Sequence, residues 1–167
     1  MPLEIERKFL ISEIPTAVHS PMEIRQAYLQ SNPTRSVRVR ITEKCNCTPV
    51  AHLAIKGPTE TGHFARQEFE YQIPVTEAQE IIRLCDHTPI HKTRYLYNHE
   101  NRRWEVDVFH GANTGLCIAE IELEAETESI TLPAFIHREV TGDPRYFNLS
   151  LAYNPYTQWD TLERSNI

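Results

Sequence analysis

Several features that would assign this chain quickly are absent. No apolar run approaches the ~18 residues that a membrane span requires. With Asp+Glu 23 against Lys+Arg 17 the formal net charge is −6, so there is no cationic excess of the kind that binds nucleic acid or an anionic membrane. The four cysteines, Cys45, Cys47, Cys85 and Cys117, show neither the Cys-x-x-Cys spacing of a structural zinc site nor a disulfide framework. They are expected to be thiols with no catalytic task. The eight histidines form no His-x-x-x-His or comparable pair, and only His52 and His91 stand beside charged runs. Long repeats, low-complexity tracts and linkers are missing, and the start, Met1-Pro2-Leu3-Glu4, lacks a charged leader followed by an apolar stretch. These absences predict a cytoplasmic protein that avoids nucleic acid and membrane, in which any polyanion is held by cations gathered from several segments. At 167 residues the chain fits one domain, 1–167, able to bury roughly 70% of the surface its unfolded form exposes.

What the chain does have is charge at every second position, in one strand-like segment after another. The pattern begins at Glu4-Ile5-Glu6-Arg7-Lys8 and returns at Arg38-Val39-Arg40, Arg66-Gln67-Glu68-Phe69-Glu70, Lys92-Thr93-Arg94, Glu105-Val106-Asp107 and Glu120-Ile121-Glu122-Leu123-Glu124. Alternate side chains of a β-strand point to opposite faces of a sheet, so each segment sends apolar residues one way and charges the other. A solvated outer face usually mixes signs and adds Ser, Thr and Gln. Here the signs segregate: Glu4, Glu6, Glu120, Glu122 and Glu124 are acidic, while Arg38, Arg40, Lys92 and Arg94 are basic. Such sorting suggests one site that holds an anion together with its metal ion.

Strands are expected at about 2–11, 22–31, 35–44, 49–57, 64–73, 90–99, 102–110 and 116–125. Turn signals lie at Ser31-Asn32-Pro33-Thr34, from Gly57 to Gly62, from Asn98 to Asn101 and from Gly111 to Gly115. Thr76-Glu77-Ala78-Gln79 reads as a capping box opening a helix over 76–85, with Ala78, Ile81, Ile82 and Cys85 on one face. A helical and irregular tail is expected over 130–167, with short helices at 132–136 and 146–153. The fold class is therefore mainly β with some helix, and eight antiparallel strands make either a sandwich or a closed barrel. If the ionic face pointed outward, Leu3, Ile5, Val37, Val39, Ile41, Phe69, Tyr71, Val106, Val108, Ile121 and Leu123 would fill an ordinary core. The sign-sorting favours the reverse, a closed eight-stranded barrel with a polar tunnel, whose outer apolar residues the helices cover only in part.

Arginine and lysine converging from several strands match the non-bridging oxygens of a phosphate chain. Carboxylates in the same cavity would repel that chain unless divalent cations stood between them, and Mg²⁺ or Mn²⁺ favour all-oxygen coordination. The first and last strands become neighbours when a barrel closes, which would bring Glu4 and Glu6 to face Glu120, Glu122 and Glu124.

Glu4-Ile5-Glu6-Arg7-Lys8-Phe9-Leu10 resembles the opening signature of the CYTH domain, the triphosphate tunnel metalloenzymes. The likeness continues in order through Val37-Arg38-Val39-Arg40, Ile55-Lys56-Gly57, Arg66 to Glu70, Lys92-Thr93-Arg94-Tyr95, Trp104-Glu105-Val106-Asp107, Ala119-Glu120-Ile121-Glu122-Leu123 and Glu139-Val140-Thr141. It covers nearly the whole chain. The resemblance implies an eight-stranded antiparallel tunnel barrel that binds a small-molecule triphosphate with Mg²⁺ or Mn²⁺. It implies that Lys8, Arg38, Arg40, Lys56, Lys92 and Arg94 bind the triphosphate, and that Glu4, Glu6, Glu120 and Glu122 are metal ligands. Glu68, Glu70, Glu105 and Asp107 would orient the cations or support a second metal position. Lys8, with Glu4 and Glu6, would carry the catalytic step, the hydrolysis of inorganic tripolyphosphate to pyrophosphate and phosphate.

Each pair taken singly also reads as a cross-strand salt bridge on a wet sheet face, worth less than ~1 kcal/mol. Adenylate cyclase, thiamine or nucleoside triphosphatase, a polyphosphate- or nucleotide-binding module without turnover, and a lipocalin-like carrier stay open as alternatives, as does a homodimer. His91, next to Lys92, would tune the pH dependence if its imidazole reached the tunnel. Tyr28 reads as structural, with a hydroxyl within reach of the lumen.

Overall fold

Alternation of apolar and charged residues becomes nine strands in a computed structural model that describes residues 3–32, 35–58 and 65–164. The strands are β1 (Leu3–Ile11), β2 (His19–Asn32), β3 (Arg35–Lys44), β4 (Val50–Lys56), β5 (Ala65–Ile73), β6 (Ile90–His99), β7 (Arg102–Phe109), β8 (Cys117–Glu122) and β9 (Ile136–Glu139). They lie in the order β5-β4-β3-β2-β6-β7-β8-β1-β9, all antiparallel, and β1 also pairs with β5. That last pairing closes β1 to β8 into an eight-stranded barrel. The turn at Pro33-Thr34, most of the loop from Gly57 to Gly62 and the side chain of Leu3 lie outside the described residues.

β1 is the closing strand. Its first half pairs with β5 (Glu4↔Arg66) and its second half with β8 (Glu6↔Glu122, Lys8↔Glu120). The acidic ends of the chain therefore meet at a seam, except that Glu124 falls beyond the end of β8 and is exposed. The stretch 132–136 is not a helix. It makes a turn closed by the Ile136 amide on the Pro133 carbonyl (3.1 Å) and then enters β9, which extends the sheet beside Phe9–Ile11. Four residues are too short to carry a legible alternation, so the edge offered by the long β1 decides their conformation.

The apolar face points outward and is covered in two places. Helix α1 (Val75–Arg83) lays Ala78 on Val39, Ile41 and Ala51, with Ile81 and Ile82 beside them. The capping box is not formed: Pro74 occupies the N-cap, no side chain caps the helix, and Thr76 sits inside the first turn. On the opposite wall the segment after β8 covers Ile5, Phe9, Trp104, Val106, Ala119 and Ile121 with Leu123 and Phe135. Trp104 packs on Phe9, their ring centroids 5.5 Å apart, beneath this extended segment rather than beneath a helix. Ile55, Phe69 and Tyr71, outside β4 and β5, keep substantial exposure.

The third apolar cluster closes one end of the barrel. Leu10 and Ile118 continue the inward rows of Glu4-Glu6-Lys8 and Glu122-Glu120, so the ionic face turns apolar there. They pack with Tyr28, Ile90 and Phe109 against Val140, Tyr146, Leu151, Tyr156 and Trp159 of the C-terminal segment. That segment contains α2 (Asn148–Tyr153), α3 (Thr161–Arg164) and two 3-10 turns. Among the described residues no helix is long and apolar enough to cross a membrane.

Candidate active site

Inward-facing side chains line a cavity of about 580 Å³ inside the barrel. Seven cations (Lys8, Arg38, Arg40, Lys56, Arg66, Arg94, Arg103) and seven carboxylates (Glu4, Glu6, Glu68, Glu70, Glu105, Glu120, Glu122) share its wall. Strand alternation puts them there. Arg38 and Arg40 on β3, Arg66, Glu68 and Glu70 on β5, and Glu120 and Glu122 on β8 are each two residues apart, hence on one face.

The charges form two networks and leave two groups weakly paired. In the first network Glu4 accepts from Lys56 Nζ (2.6 and 2.7 Å) and from Arg66 Nε (3.0 Å). Burial alone would raise the Glu4 pKa, but Lys56 and Arg66 outweigh it and hold it down at about 2. In the second, Arg94 binds Asp107 through Nε (2.6 Å) and Nη2 (2.7 Å), reaches Glu120 at 3.1 Å and pairs with Glu105. Lys8 Nζ stands 3.2 Å from Glu120 and 3.8 Å from Glu6. Burial would lower its pKa, yet these carboxylates raise it, so Lys8 stays a cation. Glu120 is driven the other way: Lys8, Arg94 and Lys92 overcome its burial and keep it well below the usual carboxylate range. The Lys8 backbone is pinned as well, its amide donating to Thr141 Oγ1 (2.9 Å) and its carbonyl accepting from Val140 (2.8 Å).

The first weakly paired group is a cation. Arg40 donates to Gln26 Oε1 at 3.0 Å, and no carboxylate among the described residues lies within ion-pair reach of it. Burial, then Arg38 and Arg94, push its pKa down to about 10. Next to it the buried Nε of Arg38 has no hydrogen-bond partner, while its Nη2 reaches Glu68 and Glu70 only at 3.5 and 3.4 Å. A buried donor without an acceptor costs about 1–3 kcal/mol, so this corner offers unused donors to an incoming acceptor. The second group is anionic. Glu6 and Glu122 are register partners, Glu122 has no cation within reach among the described residues, and Glu6 has Lys8 and Arg66 only at 3.8 and 3.9 Å.

Most residues expected at the site therefore line it, and two do not. Lys92 and Asp107 share the inward phase with Arg94 and Glu105, but their side chains are 0% exposed and form an ion pair beneath the cavity wall. Burial outweighs the attraction of Asp107 for Lys92, with Arg94 adding, and pushes that lysine down to about 8. Asp107, between two cations, is held low despite its own burial. His91 faces outward, its Nε2 2.7 Å from Glu23 Oε2, so it does not reach the tunnel and does not act there. The sequence reading assigned no role to Arg66 or Arg103, although the spacing of Arg103 with Glu105 and Asp107 marks the same face. Thr141, Gly142 and Phe147–Leu149 also enter the wall, and no local pattern indicates that. Tyr28 is both buried and a wall residue, its hydroxyl accepting from Gln26 Nε2 at 3.2 Å. All four cysteines are free thiols.

Comparison with known proteins agrees with this architecture. The CYTH domain family model matches residues 2–151. The chain is similar to the inorganic triphosphatase of Acetivibrio thermocellus, with 45% identity over 155 residues, covering 92% of this chain and 95% of that protein. It is also similar to the inorganic triphosphatase of Nitrosomonas europaea, with 32% identity over 152 residues, covering 89% and 96%. A solved inorganic triphosphatase superposes with a TM-score of 0.64 at 30% identity, over 91% of this chain and 95% of the other. A barrel closed through its first strand, an ionic interior and a family match over nearly its full length lead to one conclusion: the chain belongs to the CYTH domain family.

Proposed function

We propose that this protein is a metal-dependent hydrolase that cleaves inorganic tripolyphosphate to pyrophosphate and phosphate inside the barrel. One observation carries the reading: a cavity wall with an under-satisfied arginine corner, Arg40 with no carboxylate in reach among the described residues and Arg38 with an orphaned Nε, beside a carboxylate pair, Glu6 and Glu122, that only the distant Lys8 and Arg66 contacts of Glu6 offset. A receptor for an anion alone would not set that pair beside its ligand. The polar wall is also nearly without stacking surface, since Tyr28 and Phe147 are its only rings among the described residues, which favours a bare phosphate chain over a nucleotide or thiamine ester.

The donor set fits Mg²⁺ or Mn²⁺. It offers carboxylate oxygens, and no imidazole or thiolate lines the cavity among the described residues. Glu6 and Glu122 would hold the ion, joined by Glu4 and Glu120 once phosphate draws their lysine and arginine partners away. The metal supplies charge neutralisation between carboxylate and phosphate and lowers the pKa of the attacking water. Arg38, Arg40, Arg66, Lys56 and Arg94 bind and align the phosphate chain. Positioning and charge stabilisation make up most of what a protein contributes to phosphoryl transfer. Lys8, kept charged by Glu120 and Glu6, stabilises the negative charge that builds as the anhydride bond breaks. Glu68, Glu70 and Glu105 orient these cations, and Asp107 with Lys92 fixes Arg94 from behind.

The test is phosphate release from tripolyphosphate, ATP and thiamine triphosphate, with Mg²⁺, with Mn²⁺ and with a chelator. Metal-dependent release, fastest with tripolyphosphate, is the expected result. Tight binding of tripolyphosphate without release under either metal would overturn the reading in favour of a binding module.

A further inference from the structure

We propose a second metal site, on the outer wall of the barrel, in which Glu23, His91 and His110 hold a first-row transition-metal ion such as Zn²⁺. One imidazole nitrogen from each histidine and a carboxylate oxygen of Glu23 lie within 4.8 Å of one another. The three residues come from β2, from β6 and from the position just after β7, which are consecutive in the sheet. On β2 and β6 the neighbouring residues Ile24 and Lys92 point inward, so Glu23 and His91 point away from the tunnel. The site is separate from the phosphate cavity.

The framework around these ligands is fixed before any ion arrives. Glu23 is the register partner of Thr93, and the Thr93 hydroxyl donates to Glu23 Oε1 at 2.6 Å while lying 2.6 Å from His110 Nε2. The His110 amide donates to the His91 carbonyl at 2.9 Å, tying the two histidines through the backbone. Their ring centroids are 4.9 Å apart at 50°, so the two rings sit side by side next to Glu23. Side-chain exposures of 38% for His91 and 46% for Glu23 leave the point open to solvent. Two imidazoles and one carboxylate suit Zn²⁺, Co²⁺ or Ni²⁺, and three protein ligands leave a coordination position for water. The all-oxygen set inside the barrel selects a different class of ion. Coordination here would tie β2 and β6 to the residue that follows β7, on the outer face of the wall whose inner face carries Lys92.

The test is zinc titration followed by imidazole NMR and equilibrium dialysis, in a Cys45→Ser/Cys47→Ser background because both thiols are exposed and would compete for zinc. The expected result is a shift of the His91 and His110 ring resonances at one equivalent of zinc. Zinc affinity should fall at least about tenfold in His110→Asn and in Glu23→Gln, with the far-UV circular dichroism of both variants unchanged. Zinc affinity equal to the parent's in both variants, or no shift of either ring at millimolar zinc, overturns the site. The outcome does not depend on whether the tunnel hydrolyses tripolyphosphate.

Discussion

Glu6 and Glu122 stand directly opposite each other across the seam between β1 and β8, two carboxylates in register. Like charges so placed destabilise an antiparallel pair. Glu6→Gln is therefore expected to stabilise the metal-free protein by about 0.2–1 kcal/mol. The same change should raise the metal concentration for half-maximal activity at least about tenfold. Thermal melts with chelator and a metal titration of turnover check the two halves. A variant less stable than the parent and unaltered in its metal requirement would remove this pair from the metal site.

Arg40 shows a similar trade between stability and function. Its guanidinium sits among Arg38 and Arg94 with only Gln26, among the described residues, to accept from it. Arg40→Gln should leave the melting temperature unchanged or higher while raising KM for tripolyphosphate about tenfold or more. Steady-state kinetics and a melt on one sample decide it.

Asp107 is the opposite case. Removing its charge leaves Lys92 and Arg94 buried without their shared partner, and Asp107→Asn is expected to cost about 3–5 kcal/mol of stability. Urea unfolding measures this directly, and a loss below 1 kcal/mol would mean that Glu120 and Glu105 alone neutralise both cations.

Glu4 sets a pH dependence whose sign follows from its depressed pKa, about 2 in the folded protein. The unfolded chain binds this proton near pH 4.5, so the stabilisation is fully present above that value and is lost as pH falls toward 2. Urea midpoints between pH 2 and 5 should drop more steeply for the wild type than for Glu4→Gln. Parallel slopes would show that the Lys56 and Arg66 contacts do not hold Glu4 ionised.

Lys8→Met should lower kcat by about 10²–10³-fold with a smaller change in KM, as expected for a charge used mainly in the transition state. Near-normal turnover in that variant would refute its placement.

The barrel was legible because alternation is local: Glu4, Glu6 and Lys8 announce a face without knowledge of what they meet. Partners were not. Arg66 belongs with Glu4 only because β5 pairs with β1 in one particular register, and the separation of Lys92 from the cavity comes from its buried pairing with Asp107, which lies across β6 and β7. Arg103 is legible from its spacing with Glu105, which puts both on one face of β7. The Glu23, His91 and His110 cluster has no spacing signal at all, since three separate segments bring it together. β9 needed an edge that only the folded β1 supplies.

Packing of Leu10 and Ile118 against Tyr146, Leu151 and Trp159 stoppers one end of the barrel with apolar side chains. If the barrel cleaves tripolyphosphate as proposed, that end is a poor route for a polyanion, and reactant and both fragments would share the opposite mouth. A long polyphosphate would then be expected to enter by its tip rather than be threaded through and cut at its middle.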